Sequence, residues 1–138
     1  MSEPLYTRDI LRLAASIPGQ RSFDEVGGPE IRSPTCGSRV TMRVLLDAEG
    51  RVTAVDQAVE ACAFGQASAA LVGKSATGLS RAEAEAALAR VEQWLDGVGD
   101  DPWPGMAVLE TARARRGRHG AILLPFRALV AAIASASE

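Results

Sequence analysis

At Cys62 a strand period gives way to a helical one, and that change restricts the folds open to this chain. Val40, Met42, Val44 and Leu46 alternate with Thr41, Arg43 and Asp47, the period of a strand with one buried face. Asp47-Ala48-Glu49-Gly50 reads as a turn, and Arg51 to Val59 as a returning strand, so 40–59 is expected to be an antiparallel hairpin. Beyond Cys62 the period becomes helical: Phe64, Ala67, Ser68, Leu71, Val72 and Ser75 fall on one face.

The flanks extend this pattern. Tyr6, Ile10, Leu13 and Ile17 mark an opening helix that Pro18-Gly19 ends. Residues 19–35 are rich in turn formers, with room for one short edge strand. Ser80-Arg81-Ala82-Glu83 is a capping box for a helix through Leu95, and Met106 to Ala112 reads as a short helix. Ile122, Phe126, Leu129 and Ile133 mark the last helix. An interior proline costs about 3 kcal/mol, so Pro125 is expected in its first turn, with the helix starting near 120–123 and His119 at its mouth. The expectation is one α+β domain over 1–138: a small antiparallel sheet of about three strands with helices packed on one face.

Composition excludes several functions. Net charge is −2, and the one dense basic stretch lacks interleaved aromatic residues, so no nucleic-acid partner is expected. No run of consecutive apolar residues reaches the roughly 18–20 of a membrane span, so no membrane partner is expected. MSEPLYTRDILRLAAS does not read as a secretory signal, which points to a cytoplasmic protein with reduced thiols. One histidine and no nucleophile elbow leave a hydrolytic triad without its parts, and no glycine-rich phosphate loop is present.

The soft-ligand inventory is Cys36, Cys62 and His119. Cys36 sits in a loop beside Gly37, Cys62 opens a helix, and His119 precedes another. A helix N-terminus favours a thiolate, the form that binds metal or attacks sulfur. The spacing matches no zinc-finger pattern and by itself favours two buried structural thiols and a solvated histidine.

The order of these pieces resembles the U-type iron–sulfur cluster scaffold family (IscU, SufU and the N-terminal domain of NifU). The matching elements are Pro34-Thr35-Cys36-Gly37, the hairpin 40–59, the Ala61-Cys62 step, Phe64-Gly65-Gln66-Ala67-Ser68-Ala69, and a last helix introduced by Arg118-His119-Gly120. The resemblance implies a carrier and not an enzyme. Cys36, Cys62 and His119 would hold iron, a labile [2Fe–2S] cluster or zinc, with a cysteine desulfurase or another assembly protein as partner. Two alternatives accompany it: a zinc-dependent persulfide acceptor, and a non-metal relative that only binds an assembly partner.

Two departures bear on these roles. Ser38 replaces the family's loop aspartate, and Gly120 its third cysteine. A [2Fe–2S] cluster takes four ligands and a tetrahedral zinc four, or three and water, so one subunit cannot complete the cluster. Two subunits supplying Cys36 and Cys62 each would complete it, which makes a homodimer one arrangement. Arg113, Arg115, Arg116 and Arg118 border His119 and are expected to steer an acidic partner surface.

Overall fold

The computed structural model describes residues 7–33 and 37–137. Its elements are α1 (Arg8–Ala14), β1 (Glu30–Arg32), β2 (Arg39–Leu46), β3 (Val52–Glu60), α2 (Ala63–Ser75), α3 (Arg81–Leu95), a 3-10 helix (Met106–Ala112) and α4 (Arg116–Ala136). The three strands form one antiparallel sheet in the order β1-β2-β3. The expected α+β architecture is the observed one.

Strand alternation sets the two faces. Val40, Met42 and Val44 point to the core opposite Val59, Gln57 and Val55. Arg39 and Arg43 lie on the other face, opposite Glu60 and Asp56, and pair with them at 3.0 and 2.9 Å. Thr41 shares that outer face yet is buried, because the incoming backbone crosses it: a Cβ on Gly28 would stand 1.9 Å from the Met42 carbonyl oxygen. Only glycine permits that approach. Gly50, at φ +79, closes the hairpin as its sequence suggests.

The helices stack over the inner face. α4 packs on β2 and β1, α2 packs on α1 and α4, and α3 packs on α4. Phe64, Leu71, Met42, Val91, Leu109, Ile122, Phe126 and Leu129 belong to one core. Phe64 and Phe126 are fully buried, each contributing about 1.5–3 kcal/mol relative to an exposed ring. Ser80 and Glu83 form both hydrogen bonds of the capping box, fixing the start of α3.

α4 departs from the sequence expectation. It begins at Arg116, so Pro125 is its tenth residue and not in its first turn. Proline deletes the bond its nitrogen would give to the Ala121 carbonyl. At the next carbonyl the fold adds one: Ser68 Oγ of α2 donates to Ile122 O at 2.6 Å. By length and mean hydropathy this helix could cross a bilayer, a property hidden from a count of consecutive apolar residues by Pro125 and Arg127; 56% of the apolar window is buried here against sheet and helices. The 106–112 helix is also tighter than expected, a 3-10 helix entered through Gly105 at φ +84.

Candidate metal centre

Cys62 is the N-cap residue of α2, with extended backbone (φ −66, ψ 172) and no side-chain capping bond. β3 delivers it: Glu60 ends the strand, Ala61 turns, and the first helical amides follow. The thiol is half-buried and free of any disulfide. It lines an open cavity of about 210 Å³ with Gly37, Ser38, Glu60 and Ala61. Cys36 lies outside the described residues, but both residues that follow it stand on this cavity wall. Ser33 N–H donates to Ser38 O at 2.9 Å and closes the base of the loop between them.

His119 is the fourth residue of α4, inside its first turn and not ahead of it. Its Nε2 lies 3.1 Å from Ala112 O and 3.0 Å from Arg113 O. Carbonyls only accept, so Nε2 carries a proton and donates in both contacts, which leaves Nδ1 as the nitrogen not used in them. Metal-binding histidines share this arrangement, one nitrogen anchored to a backbone carbonyl and the other left to the metal. The same bonds explain where α4 starts. Arg115, Arg116 and Arg118 oppose the positive pole of a helix N-terminus, and no side chain caps it. The imidazole ties that turn to the end of the 3-10 helix instead.

The ends of α2 and α4 adjoin. A Cβ on Gly65 would stand 2.7 Å from Ala61 Cβ and 3.3 Å from Ala121 O, so glycine lets the two helices touch one turn past Cys62. A Cβ on Gly120 would lie 3.6 Å from Ser33 Oγ, at the base of the loop that carries Cys36. Gly120 is in the second turn of α4, not at its mouth, and faces that loop.

Charge around the cavity is already paired. Arg39 bonds Glu60 at 3.0 Å and Glu30 at 3.3 Å, and its guanidinium stacks 3.7 Å over the Phe23 ring. The Glu60 bond, more than any other contact, holds the Arg39 proton more firmly than usual. The Arg32 hydrogen bond, with Arg39 adding to it, keeps Glu30 below the ordinary carboxylate range. Sequence reasoning overlooked Glu60, whose signal was the Arg39–Glu60 register of the hairpin. Its carboxylate is engaged with Arg39, and among the described residues no three His, Cys, Asp or Glu side chains group as a metal would require.

Within the expected basic patch, Arg113 is tied inward. Its Nε donates to Trp94 O at 2.7 Å, its guanidinium lies 4.7 Å from the Trp94 ring centroid, and Glu110 is 3.8 Å away. That side chain locks α3 to the 3-10 helix. Arg115 and Arg116 are exposed and Arg118 half-buried, so the surface cluster comes down to these three.

Solved structures supply the comparison that decides the fold family. The N-terminal domain of a nitrogen-fixing NifU-like protein from Brucella abortus is 27% identical, with 96% of this chain and 94% of that one covered at a TM-score of 0.83. The chain has the U-type scaffold fold. A protein assigned as the iron–sulfur cluster assembly scaffold for the SUF system of Fervidobacterium islandicum AW-1 is 21% identical, covering 91% and 93% at a TM-score of 0.77. A hypothetical protein of known structure is 23% identical, covering 94% and 97% at 0.79. No family model matches the chain, and no curated protein matches it. The U-type resemblance read from the loop, hairpin, Ala-Cys step and helix is thereby borne out.

Within the U-type fold the donor set is chemically apt but short. A thiol at a helix N-terminus and an imidazole suit iron or zinc, but His119 is not among the residues that line the Cys62 cavity. Ser38 is buried, and neither its hydroxyl nor Gly120 replaces a carboxylate or thiolate donor.

Proposed function

We propose that this chain is an iron–sulfur assembly scaffold-like carrier, acting as one domain over 1–138 in the cytoplasm. The observation that carries the reading is the near full-length match to a NifU-like N-terminal domain, with Cys62 capping α2 on a cavity shared with Gly37 and Ser38. Its cargo is iron, a labile [2Fe–2S] cluster or zinc, and the ligands are Cys36, Cys62 and His119 through Nδ1. Three protein ligands leave one position open on zinc, and a [2Fe–2S] cluster needs a second subunit or a small thiol. Loading is therefore weak and reversible, which suits a carrier.

The partner is a cysteine desulfurase or another assembly protein, approached through Arg115, Arg116 and Arg118, with Arg113 behind them as support. A second reading has its own support, since Cys62 is a half-exposed thiol in an open cavity. As a zinc-dependent sulfur acceptor, its thiolate attacks the outer sulfur of a desulfurase persulfide. The donor's S–S bond breaks, the donor leaves as a thiolate, and Cys62 retains the persulfide.

Metal analysis and the visible spectrum of protein purified anaerobically test the carrier reading. Cys36→Ser and Cys62→Ser should each abolish metal binding, and His119→Ala should weaken it. Full occupancy in all three variants would overturn the ligand assignment. Zinc-loaded protein that gains one sulfur mass at Cys62 from a desulfurase, with no such gain once zinc is removed, would establish the second reading.

A further inference from the structure

A second cavity lies at the other end of α2, about 18 Å from Cys62 along the helix. α1, the last turn of α2 and the start of the 3-10 helix enclose it, with a volume of about 490 Å³. Sites for small organic molecules span roughly 300–1,000 Å³ and combine an apolar lining with a few polar groups. Leu13, Leu71 and Val108 form the apolar part here, and Arg12, Lys74 and Asp9 the charged part. Gly105 holds one wall close: at φ +84, a Cβ on it would stand 2.8 Å from Leu71 Cδ2.

The charges select the ligand. Arg12 and the chain's only lysine, Lys74, have no ion pair among the described residues, and both are exposed at the cavity. Asp9 is the single carboxylate in the lining, so the site carries a net charge of +1. A monoanion complements that charge, a dianion would meet Asp9, and a cation would meet two like charges. The apolar floor requires a hydrocarbon body. We propose that this cavity binds a small amphipathic carboxylate, an aliphatic chain of about six to ten carbons laid on Leu13, Leu71 and Val108 with its carboxylate against Arg12 and Lys74. The site is independent of the metal reading, and it leaves the Cys62 end uncovered.

Titration of the full-length, isotope-labelled protein with octanoate, followed by amide shifts, tests this. Octanoate should shift the Leu13, Leu71, Lys74 and Val108 amides saturably, whereas octylammonium should not. The Arg12→Gln/Lys74→Gln variant, altered only at exposed side chains, should bind octanoate about fivefold more weakly or worse. Cys62→Ser should leave the titration unchanged, whatever becomes of metal binding. If octanol shifts the same amides as tightly as octanoate, or the double variant binds as the parent does, the two cations merely complement the ends of α1 and α2 and the proposal falls.

Discussion

Gly120 is the residue that the U-type resemblance sets against a third cysteine, and its surroundings make it testable. It lies in a helix at ordinary φ, and the nearest atom to an added Cβ is Ser33 Oγ at 3.6 Å, a normal contact. Gly120→Ala should therefore stabilise the fold by about 0.5–1 kcal/mol, read as a higher Tm. A cysteine there would face the loop carrying Cys36. Gly120→Cys, reconstituted anaerobically with iron and sulfide, should show stronger [2Fe–2S] absorbance than the parent. Ser38→Asp is a harsher change because Ser38 is 5% exposed: a buried charge there should lower the Tm of metal-free protein, and metal should restore it. A folded Gly120→Cys/Ser38→Asp variant that gains no cluster would mean that residue 120 does not share a site with Cys36 and Cys62. Among exposed carboxylates, Glu83 is held below its ordinary value of 4.5, first by the Ser80 amide and then by Arg51. Its folded pKa is the lower one, so its contribution is complete above the unfolded value and disappears as pH falls through the folded value. Acid titration of Glu83→Gln, which has no carboxylate to protonate, should show a smaller loss of stability over that window than the parent shows.

At the scale of elements, what could be read in advance was whatever local pattern decides. The 40–59 hairpin, the start of α2 after Cys62 and the α3 capping box are set by alternation, turn residues and side-chain caps within a few positions. The start of α4 is not. Arg116-Gly117-Arg118-His119 has neither an apolar period nor a cap, and that turn is held by His119 reaching carbonyls six and seven residues back. The proline rule then misplaced the boundary, because the core packing of Ile122, Leu124, Phe126 and Leu129 outweighs the local cost of Pro125. The inward bond of Arg113 was illegible for a related reason: it reaches Trp94 O, 19 positions away, which no spacing reveals. The meeting of α2 with α4 depends likewise on a contact between distant segments. Gly65→Ala would drive a methyl against Ala61 and the Ala121 carbonyl, so it should cost about 1–3 kcal/mol and alter the reactivity of Cys62 toward a thiol reagent. Unchanged reactivity in a destabilised variant would show that helix contact and thiol placement are uncoupled.

At the scale of the whole molecule, the basic cluster lies where two roles can be separated. Net charge is −2, so Arg115, Arg116 and Arg118 form a local positive field on an overall acidic protein, beside His119 and within a turn of Gly120. Held at a helix N-terminus without a cap, these arginines cost the isolated fold stability, and an acidic surface docked on them would return it. Arg113 is different, bonded to Trp94 and stacked on its ring between α3 and the 3-10 helix. Arg113→Gln should therefore lower Tm by the loss of a part-buried charged hydrogen bond, roughly 1.5–3 kcal/mol, at any salt concentration. The Arg115→Gln/Arg116→Gln/Arg118→Gln variant should keep or raise Tm, yet associate more slowly with a desulfurase partner. That slowing should be greatest at low ionic strength and fade near 0.15 M, where the screening length has fallen to about 8 Å. Stopped-flow association at two salt concentrations, set beside thermal unfolding of both variants, separates the roles. Equal low-salt rates for the triple variant and the parent would reduce the cluster to a solvated surface and leave the approach to the Cys62 cavity to shape alone.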